Sequence, residues 1–162
     1  MSAEQIDVLT RRVGTQHFQI LLVDDNPIDA KMFEAALREA STRVQLHWVT
    51  TGQEAIDFLG QQELQEDTAD VELIVLDLHL GGMDGLEVLR RLRSHPAARL
   101  KPIVVLSTSR ALRDINDSYA SGASSYITKA MSFQSFVETV STLVRYWLDI
   151  VELPTVFPEF VS

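Results

Sequence analysis

The chain of 162 residues has no cysteine. That absence excludes disulfides, thiolate metal sites and cysteine nucleophiles, and it suits a reducing compartment. Basic residues are scarce: 14 Lys and Arg stand against 23 Asp and Glu, a formal net charge of −9. A phosphate-binding face needs a basic stripe, so no nucleic-acid partner is expected. The acid excess is read first as what keeps a small domain soluble. No apolar run approaches the length of a membrane span, and the opening MSAEQIDVLTRRVGTQ has no signal core. The expectation is a cytoplasmic protein with no membrane partner. Repeats and low-complexity tracts are absent too.

What is present fits one domain with a sizeable core, at 46% hydrophobic residues. Five apolar runs stand out: HFQILLV (17–23), VQLHWVT (44–50), VELIVL (71–76), PIVVLS (102–107) and SYIT (125–128). Most are rich in Val and Ile and apolar on successive positions, as in strands covered on both faces. Helical patterns lie between them. PIDAKMFEAALREA (27–40) has Asn26 as N-cap, Pro27 at the first position and Asp29 where a capping-box acid belongs. TGQEAIDFL (51–59) opens on Thr51 with Glu54 three residues on, GLEVLRRLRS (85–94) follows Asp84, and 109–121 is a weaker helix stopping near Gly122. A long last helix starts near Ser132, and QQELQEDTAD (61–70) reads as a solvated loop. The β-α alternation predicts a doubly wound α/β fold: a five-stranded parallel sheet with five helices and right-handed crossovers.

In such a sheet ligands bind at the carboxyl ends of the strands. There stand Asp24 and Asp25 after the first strand, Asp77 after the third, Ser107 and Thr108 after the fourth, and Lys129 after the fifth. Singly, each has an ordinary explanation: a cap, a surface lysine, a loop serine. Together they are more specific. Converging carboxylates repel one another, and without a partner one takes up a proton. A hard divalent cation such as magnesium removes the conflict and works beside phosphate oxygens. The lysine and hydroxyl suit a phosphoryl group, and a carboxylate can act as the nucleophile that accepts it.

ILLVDDNPID, LIVLDLHLGGMDG, PIVVLSTS and YITK, at these separations, resemble a two-component response-regulator receiver domain. The resemblance covers residues 17 to about 147 and implies a flavodoxin-like sheet of order 2-1-3-4-5. It implies Asp77 as phosphoacceptor, with Lys129 binding a phosphoryl oxygen. It implies a magnesium site from Asp24, Asp25, Asp77 and the backbone carbonyl of His79. It implies Ser107 and Tyr126 as the switch pair, with His79 and Thr108 modulating the site. Two positions depart from the family pattern: Ala130 follows the lysine where proline is usual, and Gly81 stands four residues after Asp77 where proline is frequent. A non-proline cis bond costs about 2.5–4 kcal/mol, so the Lys129–Ala130 peptide is expected to be trans.

The last helix carries Phe133, Phe136, Val137, Val140, Leu143, Val144, Trp147, Ile150 and Val151 on one stripe. At 100° per residue the stripe is about 160° wide, and its five turns span roughly 27 Å. The tail LPTVFPEFVS adds Leu153, Val156, Phe157, Phe160 and Val161. So much apolar surface points to a partner, or to a tail folded back on its own domain. The expected organisation is an N-terminal extension (1–15), a receiver domain (16–147) and a C-terminal tail (148–162) that contributes a dimer contact. Phe136, Val140, Leu143, Trp147, Ile150 and Val151 are the expected dimer residues. A long last helix followed by WLDIVELP resembles the single-domain regulators paired with bacterial and cyanobacterial phytochromes. That implies a homodimer and a phytochrome histidine kinase as partner, in a phosphorelay, with no enzymatic turnover beyond its own phosphorylation and dephosphorylation. Competing readings are a pseudo-receiver that binds without being phosphorylated, a phosphatase with an aspartyl nucleophile, and a nucleotide or flavin module. Asp24 and Asp25 argue against the last by repelling a phosphate.

Overall fold

β1 (Phe18–Val23), FQILLV, is buried at every position. Such a strand needs cover on both faces, which a parallel sheet between helices supplies. The computed structural model, which describes residues 17–41, 43–65 and 70–154, has that arrangement. After β1 come α1 (Pro27–Ala40), β2 (Val44–Val49), α2 (Gly52–Glu63), β3 (Leu73–Leu76) and a short hairpin of β4 (His79–Leu80) and β5 (Met83–Asp84). Then follow α3 (Gly85–Ser94), β6 (Ile103–Ser107), α4 (Leu112–Ala120), β7 (Ser125–Thr128) and α5 (Phe133–Val144). The main sheet runs β2-β1-β3-β6-β7 with every neighbour parallel. With the hairpin set aside, this is the expected order 2-1-3-4-5. Ile20 pairs with Leu46 on one side and Leu73 on the other.

Alternate residues of each strand feed two cores. On one face Ile20, Leu22, Val75 and Val104 pack beneath α1 and α5, where Phe33 and Phe136 meet edge to face at 6.3 Å. On the other, Leu21, Val23, Ile74 and Val105 pack beneath α2 and α3. Helix starts follow the sequence. Asn26 Oδ1 accepts from the N–H groups of Ile28 (2.9 Å) and Asp29 (3.4 Å), and Pro27 takes the first helical position. Thr51 Oγ1 accepts from Glu54 N, and the Glu54 carboxylate reaches back to Thr50 N at 3.0 Å, one residue before the cap. Asp84 caps α3, which leaves Asp77 free of that duty. Gly85 lies so close to Leu78 that a Cβ would run into the Leu78 backbone, and its N–H donates to the Leu78 carbonyl. A side chain there would push α3 away from the tip of β3.

Four findings correct or extend these expectations. Residues 61–63 continue α2 rather than opening a loop. The Gly81–Gly82 segment is the turn of the β4–β5 hairpin, in which His79 pairs with Asp84. The last helix is not uniform: α5 ends at Val144 and Arg145–Ile150 winds as a π-helix, with Val151 N bonded to Tyr146 O at 2.9 Å. Val151 itself is extended. Finally, Phe136, Val140 and Leu143 are buried in their own core, so they offer no face to a second copy. Trp147, Leu148 and Leu153 also pack against that core, so the chain folds back on its own domain as far as Leu153. Tyr146 and Ile150 stay exposed, at 49% and 61%. Val156, Phe157, Phe160 and Val161 lie outside the described residues.

Candidate functional site

The sheet ladder continues one residue past each strand and brings the tips level. Asp24 N donates to Val49 O (3.1 Å), Asp77 N to Val23 O (3.0 Å) and Lys129 N to Ser107 O (2.7 Å). Side chains from β1, β3 and β7 therefore converge at one edge. Lys129 Nζ lies 2.8 Å from Asp29 Oδ2, 3.0 Å from Asp77 Oδ2 and 3.3 Å from Asp24 Oδ2. An ammonium has three N–H groups, and each finds a carboxylate.

Burial by itself would push the Lys129 ammonium down. Its hydrogen bond to Asp29 and the charges of Asp77 and Asp24 outweigh that and hold it above the ordinary lysine range. Asp24 shows the reverse balance. Its burial, with the Asp77 charge adding to it, lifts its pKa to about 6, against the opposing pull of the Asn26 N–H and Lys129. The Asp24 Oδ1 accepts from Asn26 N (2.9 Å), and its backbone carbonyl accepts from the indole N–H of Trp48 (2.8 Å). The second oxygen of Asp77 accepts from His79 N at 3.0 Å, which fixes the carboxylate plane.

The remaining expected residues lie around this centre. Asp25 is exposed and turned toward the hairpin, where its Oδ2 accepts from Gly81 N at 2.7 Å. Among the described residues, the three acids whose oxygens lie within 4.8 Å of one another are Asp24, Asp29 and Asp77, so Asp29 stands where Asp25 was expected. Ser107 is fully buried, and its Oγ accepts from Ser109 N at 3.2 Å. Thr108 is exposed, as is the His79 side chain on β4. Tyr126 donates its hydroxyl to Ser109 O. The described peptide bonds are all trans, so Ala130 follows Lys129 without a cis turn, and the ammonium still reaches Asp77. Behind it a cavity of about 100 Å³ runs between Met32, Phe33, Ala130 and Phe136.

Sequence reasoning missed Asp29, Ser109 and Trp48. Asp29 carried a signal: an acid in the first turn of a helix that begins at the site. The local capping explanation absorbed it. Ser109 and Trp48 carried none, because each acts through a contact that only the fold creates.

Comparison with known proteins adds to this geometry. The family model described as "Response regulator receiver domain" matches residues 20–141. The response regulator Rcp1 of Synechocystis is 33% identical over 135 residues, covering 83% of this chain and 92% of Rcp1. A crystal structure of the phosphorylated cyanobacterial phytochrome response regulator RcpA shares 34% identity at a TM-score of 0.77, covering 86% of this chain and 99% of RcpA. The manganese-bound form of Rcp1 gives a TM-score of 0.74 at 33% identity, covering 85% of this chain and 99% of that one. Among the described residues no helix is long and apolar enough to cross a membrane. A family match that spans the sheet, and neighbours that share both its topology and a third of its residues, leave one assignment: this chain belongs to the response regulator receiver family.

Proposed function

We propose that Asp77 accepts a phosphoryl group from the phosphohistidine of a sensor histidine kinase, and that the kinase is a bacterial phytochrome. One observation carries the reading: a buried lysine ammonium 3.0 Å from a buried strand-tip carboxylate, at the edge where parallel sheets bind ligands. A carboxylate oxygen of Asp77 is the nucleophile. The His79 N–H holds that carboxylate in one orientation. Lys129 supplies positive charge where the phosphoryl oxygens arrive. Ser107 and Tyr126 then pass the change to the face of α4, β7 and α5, the two-state element that phosphorylation biases.

The donors at the site are all oxygen, which fits a hard divalent cation. Asp24, Asp25, Asp77 and the His79 carbonyl would hold magnesium, with Asp29 beside them. When bound, magnesium neutralises the carboxylates and the phosphoryl oxygens. The existence of a manganese-bound form of Rcp1 supports a divalent ion, and the phytochrome named with RcpA supports the partner. The protein works in the cytoplasm as a relay component rather than a turnover enzyme. It forms a homodimer through the exposed side of the π-wound segment and the tail.

Intact-mass analysis after incubation with a small phosphodonor tests the reading. The expected result is one phosphoryl mass gained by the wild type with magnesium, none without it, and none by Asp77→Asn. No gain by the wild type from either donor or purified phytochrome kinase would favour a pseudo-receiver.

A further inference from the structure

Asp29 is the closest partner of Lys129, nearer than the proposed phosphoacceptor. It projects from the first turn of α1, one helical turn after Asp25. The three acids on the ammonium are not equivalent. Asp24 and Asp77 are buried, and each also accepts a backbone N–H, from Asn26 and His79. The Asp29 side chain is one-third exposed, at 33%, and among the described residues its carboxylate bonds only Lys129. Water can therefore replace Lys129 at Asp29 more easily than at the other two.

All three N–H groups of the ammonium are in use, and a phosphoryl group on Asp77 needs one of them. Its oxygens also bring negative charge to a place already ringed by carboxylates. We propose that Asp29 is a positioning residue that competes with the incoming phosphoryl group for Lys129 and so restrains phosphorylation of Asp77. The inference rests on Asp77 being the phosphoacceptor. In the step, phosphorus forms a bond to a carboxylate oxygen of Asp77. Its bond to the donor atom breaks, the ring nitrogen of a phosphohistidine or the bridging oxygen of acetyl phosphate, and that electron pair leaves with the donor. As charge shifts, Lys129 releases Asp29 and turns one N–H to the phosphoryl oxygen. Asp29 is left to solvent and repels the group through a partly screened distance.

The full chain, incubated with acetyl phosphate and magnesium and followed by intact mass against time, tests this. Asp29→Asn keeps the shape and removes the charge. It should gain the phosphoryl mass faster than wild type, by about three- to tenfold, the scale of one partly exposed charge near the reacting group. The gain should shrink as salt rises, because an exposed charge is screened. Asp29→Glu, which restores the charge, should return toward the slow rate, and Asp29→Ser should behave like Asp29→Asn. A role confined to stabilising the start of α1 would lower the melting temperature and leave these rates alone. Equal or slower phosphorylation of Asp29→Asn and Asp29→Ser beside a phosphorylated wild type overturns the inference and leaves the phosphoacceptor reading standing. No gain in wild type or variants overturns that reading, and the inference with it.

Discussion

Tyr126 donates its phenolic hydrogen to the backbone carbonyl of Ser109, 2.7 Å away. Ser109 in turn gives its N–H to Ser107 Oγ and its hydroxyl to Asp114 Oδ2. Four residues from β6, the loop after it, α4 and β7 thus form one network. It begins at the buried Ser107 hydroxyl and ends on the half-buried Tyr126 ring. A shift of Ser107 disturbs Ser109, and Ser109 holds Tyr126. That gives the proposed switch pair a physical connection, and it runs through the loop rather than through direct contact.

Tyr126→Phe removes the bond and keeps the ring. The Ser109 carbonyl then loses a half-buried donor, so the unfolding free energy should fall by about 1 kcal/mol. Urea denaturation measures this. Phosphorylation of Asp77 should persist, because Tyr126 touches none of the reacting groups. An unchanged midpoint would mean that water replaces the bond at no cost.

His79 lies two residues from Asp77 with its side chain in solvent and its N–H on the carboxylate. On the proposed chemistry, a side chain there would stand beside the path of a water attacking the aspartyl phosphate. His79→Ala keeps the backbone N–H and should lengthen the life of the phosphorylated state. Decay of the phosphoryl mass after removal of the donor reads it. The same half-life in both proteins would take His79 out of the chemistry.

Much of this was legible in the sequence, for reasons that differ by element. The bounds of α1, α3 and β7 follow the reading residue for residue, because Asn26, Pro27 and Asp84 mark helix starts and SYIT sits between turn residues. The alternation predicted the parallel sheet between helices, and the family resemblance, not the alternation, supplied the strand order. The β4–β5 hairpin did not, since two-residue strands have no period to detect. Asp29 was misassigned because its local role as a helix-start acid competed with a contact 100 positions away. The apolar stripe of the last helix was real, but a stripe records only which side avoids water. It cannot divide Phe136, spent on the core, from Ile150, left outside it.

His47 brings a pH dependence away from the site. Its Nε2 lies 2.7 Å from Gln19 Oε1, and its ring packs 5.0 Å from the Phe58 ring. Burial lowers its pKa from the ordinary 6.5. The unfolded chain therefore binds a proton more readily than the folded one. The stability from neutral His47 is complete above pH 6.5 and is lost as pH falls through the lowered folded value. Urea midpoints between pH 7.5 and 5 should drop more for wild type than for His47→Gln, which keeps a donor for Gln19. Parallel curves would remove His47 as a contributor.

The π-wound segment separates two uses of apolar side chains that lie on one stripe. Phe136 is buried against Phe33, so Phe136→Ala leaves a cavity and should cost about 3–5 kcal/mol of unfolding free energy. Ile150 is 61% exposed, so Ile150→Asp should leave the unfolding midpoint of the isolated domain nearly unchanged. On the proposed dimer the effects reverse. A charge at Ile150 must be desolvated when two copies meet, so the variant should dissociate at concentrations where wild type is paired. Light scattering across a dilution series reads this directly. The Arg43–Asp149 ion pair, at 2.9 Å, fastens the same segment to its own domain, but both side chains are exposed and its loss should matter little. A wild type that stays monomeric at high concentration, with and without phosphorylation, would end the dimer proposal. It would leave Tyr146 and Ile150 as apolar surface for a different partner.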